Sequence, residues 1–206
     1  MKSMLKDAAI LFVITLISGA ILGFVFDLTK EPIAQQEAKA KSEACREVFA
    51  DASVFEPVTE LDAQKAQTVL ANQGFAATTI NEVMTAMDSS QNPLGYVVTV
   101  TSHEGYGGDI RFSMGIRNDG TLNGIAILSI AETAGLGMRA EEVLKPQFAG
   151  KKVTAFTVTK TGAVAADQID AISSATVTSN AVTDSVNAGM CYFREVLQAE
   201  GGQGNE

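Results

Sequence analysis

Apolar and polar positions divide the chain into two regimes. Residues 8–26 (AAILFVITLISGAILGFVF) run for 19 positions without a charge. At about 1.5 Å per residue that is roughly 28 Å of helix, close to the hydrocarbon thickness of a bilayer. The run exceeds the apolar core of a cleaved signal peptide, and Asp27-Leu28-Thr29-Lys30-Glu31 follows it in place of a small-residue cleavage site. It therefore predicts an uncleaved transmembrane helix. Lys2, Lys6 and the amino terminus precede the span and only Lys30 follows it closely. The positive-inside rule then leaves residues 1–7 in the cytoplasm and the rest of the chain beyond the cell (inner) membrane, as a single-pass protein. Gly19 and Gly23 give the helix one small-residue face on which another membrane helix could pack.

Past the span the pattern is weaker at first. Pro32 predicts a new helix start, and small or apolar residues at four-residue spacing (Ala40, Ala44, Val48) predict an amphipathic helix over residues 33–49. Residues 61–70 suit a short helix, and residues 74–87 are open between strand and helix. Residues 27–93 are thus expected to form a membrane-proximal helical region. From Leu94 the period drops to two. Residues 95–101 (GYVVTVT) predict a buried strand, and residues 110–117 and 121–130 flank Asn118-Asp119-Gly120 as a hairpin. A short helix over residues 139–145 should end at Pro146. Residues 153–159 alternate as a strand. Residues 179–197 place Val182, Val186, Met190, Phe193 and Leu197 on one helical face as core. The tail 199–206 has nothing to bury and is expected to be disordered. The fold class is α+β: one N-terminal transmembrane helix, then one mixed α/β domain over residues 94–198.

Length and charge narrow the function classes. At 206 residues the chain holds one ordinary domain plus an appendage. A net charge of −9 argues against nucleic acid, whose phosphates demand Lys and Arg. Cys45 and Cys191 are too few for a disulfide framework and are read as separate thiols. One histidine, His103, and no Cys/His cluster leave no metal site to propose.

The candidate chemistry lies in Asp170-Ala171-Ile172-Ser173-Ser174-Ala175-Thr176-Val177-Thr178-Ser179, which leads into the last helical pattern. Five hydroxyl side chains stand before the free N–H groups and positive dipole end of a helix, a place suited to a phosphate. The same hydroxyls could serve only as helix caps, with Thr178 the natural candidate. Upstream, Glu132-Thr133-Ala134-Gly135-Leu136-Gly137 joins the hairpin to the short helix. Gly105-Tyr106-Gly107-Gly108 allows either a close backbone approach to a ligand or a plain flexible loop.

The order of residues in the hydroxyl stretch resembles the flavinylation motif Asp-x-x-Ser/Thr-Gly-Ala-Thr of the FMN-binding domain family. That family includes the G-type component of the Rnf electron-transport complex and the C-type component of the sodium-pumping NADH:quinone reductase. Asp170, Ser173, Ala175 and Thr176 match the pattern, and Ser174 stands where the family has Gly. The upstream segment resembles the family's Glu-Thr-Pro-Gly-Leu-Gly, with Ala134 in place of Pro. The compact length and the anchor followed by Lys30-Glu31-Pro32-Ile33 favour the Rnf component. The resemblance implies FMN bound through a phosphoester to Thr176, attached by a separate Mg²⁺-dependent flavin transferase with FAD as donor. Ser173, Ser174, Ala175 and Thr178 would bond the phosphate, leave it room or cap the helix, and Asp170 would serve recognition or the turn. Glu132, Thr133, Gly135, Leu136 and Gly137 would line the flavin or a docking face. The partners implied are the other membrane subunits of an Rnf complex, including a second that bears FMN, with membrane lipid around the anchor. The implied role is electron relay with no complete active site of its own. Two alternatives stay open on the residues: an FMN-bearing component of another extracytoplasmic or Na⁺-translocating reductase, and a membrane-tethered binding module without redox function.

Overall fold

A computed structural model describes residues 2–58 and 61–201, with side chains from residue 4 to residue 199 within those ranges. The chain divides into two compact units, residues 1–41 and 42–206. The first unit is helix throughout its described residues. Helix α1 runs from Lys2 to Val48 with Pro32 inside it, so the helix start expected at Pro32 does not occur. A proline removes one backbone hydrogen bond and crowds the preceding turn. The stretch Ala34-Gln35-Gln36-Glu37-Ala38-Lys39-Ala40 is made of strong helix formers that carry the helix through.

Ile10, Leu11, Phe12, Ile17, Leu22 and Phe24 point in all directions around α1 and are exposed. A helix apolar on every side takes lipid as its solvent. It is, among the described residues, the one helix long and apolar enough to cross a membrane. Two of its hydroxyls need no water: Thr15 and Thr29 donate to the carbonyls of Leu11 and Val25 at 3.0 and 2.9 Å.

The second unit is built on a five-stranded antiparallel sheet: β1 (Val54–Pro57), β2 (Thr78–Met87), β3 (Pro93–Ser102), β4 (Ile110–Arg117) and β5 (Leu122–Ile130), adjacent in sequence order. The region expected to be helical, residues 27–93, supplies two of these strands as well as α2 (Ala63–Asn72). β2 resolves the open stretch as strand. Its Thr78, Thr79, Ile80, Val83 and Thr85 favour extended backbone, and β3 pairs with it along nearly its full length. The predicted β4–β5 hairpin is present, closed by the Arg117 N–H to Thr121 O bond at 2.9 Å.

The sheet is the middle layer of the unit. Val98, Val100, Phe112, Met114 and Ile116 belong to one core, where they pack with Leu70 of α2 and with Val182 and Val186 of α5 (Thr176–Tyr192). Val97 and Ala126 belong to a second, covered by Ala44, Cys45, Val48 and Phe49 at the end of α1. Cys45 and Cys191 are both buried and are not joined.

Beyond β5 the chain makes a single 3₁₀ turn (Gly137–Arg139), then α3 (Ala140–Val143) and α4 (Lys145–Phe148). Pro146 was expected to stop a helix over residues 139–145. It occupies the first turn of α4 instead, where its missing N–H costs nothing. Of the strand expected over residues 153–159 only β6 (Thr157–Thr159) forms, paired in parallel with β7 (Gln168–Asp170). Just before β6, the Asn187 side chain of α5 takes over the backbone of Phe156. Its Oδ1 accepts the Phe156 N–H at 2.7 Å and its Nδ2 donates to the carbonyl at 2.9 Å. α5 begins three residues ahead of the expected start and continues as a π turn (Phe193–Leu197) and α6 (Gln198–Gly201). Val182, Val186, Met190, Phe193 and Leu197 are all buried, each a contribution of about 1.5–3 kcal/mol relative to exposure. The expected disordered tail is helical through Gly201, and residues 202–206 lie outside the described residues.

Candidate functional site

The approach to α5 is fixed from both sides. Asp170 ends β7 with its N–H donated to Gln147 Oε1 at 2.7 Å and its carbonyl accepting Gln147 Nε2 at 3.1 Å, so α4 holds its backbone in place. The chain then reverses: the Ala175 N–H bonds to the Ile172 carbonyl at 3.0 Å. The third residue of that turn, Ser174, has φ +62°. This left-handed backbone is the reason a glycine suits the position, and an L-residue there costs about 1–2 kcal/mol. The Ser179 hydroxyl latches the turn onto the helix, accepting the Ile172 N–H and donating to the Ala175 carbonyl, both at 2.9 Å.

α5 opens at Thr176. Its N-cap is Ala175, and no side chain among the described residues caps it. The expectation that Thr178, Ser173 or Ser174 caps the helix is therefore corrected. Thr178 lies inside the first turn, 1% exposed, while Ser173 and Ser174 are exposed on the turn before it. The Thr176, Val177 and Thr178 N–H groups have no carbonyl a turn behind them, so the positive end of the helix is left open for an acceptor. Thr176 is half-buried and is the first residue of α5.

The second segment packs onto this helix start. Glu132 follows β5, is 8% exposed, and its Oε1 has no hydrogen-bond partner among the described residues. Gly137 is wedged between the two segments. A Cβ there would lie 2.7 Å from Thr178 Oγ1, 2.7 Å from Glu132 Cβ and 2.8 Å from Glu132 Oε2. Gly105 of the β3–β4 loop closes on the same carboxylate, with its Cβ position 2.8 Å from Glu132 Oε1. Thr133, Gly135 and Leu136 form an exposed outer turn. There the Leu136 and Met138 N–H groups both return to the Thr133 carbonyl, at 3.1 and 3.3 Å. The structure thus brings Glu132, Gly137 and Thr178 together, sets Thr133, Gly135 and Leu136 on the rim, and holds Asp170 behind the turn. Ser179 was not singled out as a site residue, although a hydroxyl at a position of otherwise buried helix face is the mark it left. Gly105 joins the cluster through a contact across the fold that spacing alone does not show.

Comparison with known proteins gives this arrangement its class. Residues 105–190 match the family model of the FMN-binding domain, and residues 1–48 match that of the RnfG N-terminal region. Over 197 residues the chain is 29% identical to the G component of the Na⁺-translocating ferredoxin:NAD⁺ oxidoreductase complex of Acetobacterium woodii, covering 95% of this chain and 94% of that one. It is 31% identical over 198 residues to the G component of an ion-translocating oxidoreductase complex of Methanosarcina acetivorans, covering 93% and 95%. The G component of the proton-translocating ferredoxin:NAD⁺ oxidoreductase complex of Clostridium ljungdahlii is 31% identical over 189 residues, with 88% and 90% covered. In fold, the crystal structure of NqrC from Shewanella oneidensis is similar with a TM-score of 0.52 at 17% identity, over 77% of this chain and 88% of that one.

The cofactor that goes with the matched domain is FMN, and the residues present fit it. The open start of α5 suits a phosphate, and the unpartnered Glu132 Oε1 suits a hydroxyl or ring N–H donor. This chain belongs to the RnfG family, the G components of ion-translocating oxidoreductase complexes.

Proposed function

We propose that this chain is the membrane-anchored electron carrier of an ion-translocating ferredoxin:NAD⁺ oxidoreductase, with FMN held covalently on Thr176. The observation that carries the reading is a half-buried Thr176 placed first in a helix whose start no side chain among the described residues caps. Thr176 Oγ1 would give its proton to a base of a separate flavin transferase and take the FMN phosphoryl group from FAD, with the P–O–P link broken and AMP as the leaving group. The exposed Ser173 and Ser174 leave room for that enzyme to reach the site, and the N–H groups of the first turn of α5 bind the phosphate oxygens. FMN supplies one- and two-electron transfer when bound. The chain itself binds neither ferredoxin nor NAD⁺. It holds the flavin where other membrane subunits, including a second that bears FMN, give and take electrons as Na⁺ or H⁺ moves. The N-terminus lies in the cytoplasm and the domain outside the cell membrane, since Lys2 and Lys6 precede the span. A tether matters there, because FMN lost outside the cell could not be replaced.

The test is Thr176→Ala in the full chain, made with a flavin transferase in a host that exports the domain. Fluorescence of the denatured band in a gel reports covalent flavin only. The wild type should glow, the variant should be dark, and the wild-type peptide containing Thr176 should carry the FMN mass. Flavin still bonded to the variant would overturn the assignment.

A further inference from the structure

The geometry points to Tyr106 as the side chain that lies flat against the ring system of the FMN held at Thr176, an inference that rests on that reading of the site. Among the described residues of the domain, the large apolar side chains left exposed are Val54, Tyr106, Leu136, Met138, Val164 and Val177. Four of the six sit on the segments that the Gly105–Glu132–Gly137–Thr178 contacts draw together. Tyr106 follows Gly105, Leu136 and Met138 flank Gly137, and Val177 precedes Thr178. An apolar rim beside an open helix start is the counterpart of an amphipathic ligand, with a phosphate at one end and a planar apolar ring at the other. FMN is such a ligand, and isolated apolar exposure elsewhere on the domain has no comparable neighbour.

Tyr106 is the exposed aromatic of this rim, at 75%, while every other Phe and Tyr side chain described in the domain is buried or half-buried. Its loop is fixed. A Cβ on Gly105 would overlap the Gly108 carbonyl oxygen and one on Gly107 the Ala131 carbonyl oxygen, so the backbone is pressed onto the start of the Glu132 segment. At the base of the loop, His103 joins Asp109 through Nδ1 at 2.9 Å and Thr79 through Nε2 at 3.1 Å. A loop held at its base and against a neighbouring segment presents the ring in one place at little further entropic cost. The flat phenol then covers one face of the isoalloxazine, as aromatic faces do for one another.

A phenol in contact with an excited flavin quenches its emission by lending it an electron that returns, and the asymmetric contact gives the flavin a visible circular dichroism band. The test uses the full chain, flavinylated in vivo and kept in detergent, as wild type, Tyr106→Ala and Tyr106→Phe. Denatured-gel fluorescence measures loading, and native emission is scored per bound flavin. Tyr106→Phe, which keeps the ring and loses the electron donor, should raise native emission several-fold while keeping the dichroism band. Tyr106→Ala should raise emission and lose the band. If Tyr106→Ala fails to take flavin, Tyr106→Phe decides alone by the same signals. Unchanged emission in Tyr106→Phe overturns the proposal, and so does a variant that weakens association with other membrane subunits while leaving both flavin signals untouched. Flavin persisting on Thr176→Ala would instead sink the underlying site, whatever Tyr106 does.

Discussion

Gly137 is the point of closest contact between the two motif segments, and replacing it tests the whole site. Its Cβ position lies 2.7 Å from Glu132 Cβ and Thr178 Oγ1, whereas carbon atoms in contact sit about 3.5–4.0 Å apart. Gly137→Ala must therefore push the Glu132 segment off the first turn of α5 by the best part of an ångström. Overpacking of this kind costs about 1–3 kcal/mol. The lower entropy of the unfolded alanine chain returns about 0.4–1 kcal/mol, and the backbone of Gly137 is not left-handed, so no strain is added. The net loss is about 1–2 kcal/mol, or a melting temperature lower by about 2–8 °C for a domain of this size. Thr178 shares the first turn of α5 with Thr176, so on the proposed tether covalent flavin loading should fall with it. Gly135 is the control: nothing lies within 4 Å of its Cβ position, but its φ is +77°. There alanine meets only backbone strain of about 1–2 kcal/mol, and asparagine, which tolerates that backbone, should recover most of it. At Gly137 asparagine should be worse than alanine. Melting of the full chain in detergent, with gel fluorescence for loading, reads both series. A Gly137→Ala protein that melts at or above wild type and loads fully would refute the packing argument.

Ser174→Gly should raise stability by about 0.5–1 kcal/mol, the relief of a left-handed serine at φ +62° less the extra freedom glycine has when unfolded. A lower melting temperature would show that the Ser174 side chain does something the turn geometry does not reveal. Asp184 on α5 has its carboxyl pushed up by burial first and by the charge of Glu104 second. An acid raised in the folded state contributes its stability below the unfolded value of about 3.9, and that contribution is lost as pH rises through the folded value. Asp184→Asn should therefore stabilise at pH 7, by less than about 0.5 kcal/mol given its exposure to solvent, with the gain fading by about pH 4. An equal gain at both pH values would contradict the titration.

Local pattern determined a good deal here. Nineteen uncharged residues make an apolar helix whatever follows, because in lipid only a helix satisfies its own backbone. The β4–β5 hairpin and the buried face Val182, Val186, Met190, Phe193, Leu197 were legible because period two and period 3.6 are properties of neighbouring residues. The two motifs were legible as residue order. Tertiary structure decided the rest. β2 is a strand because β3 offers it a ladder, and residues 153–156 are not, because the Asn187 side chain satisfies Phe156 from another element. Pro32 reads as a helix start and Pro146 as a stop, yet the first is carried inside a long helix and the second starts a short one. Only folding brought Gly137 against Thr178, Gly105 against Glu132, and Ser174 into a left-handed turn latched by Ser179. The first two join residues far apart in the chain, set by how closely two backbones can approach, and that distance leaves no period in the sequence.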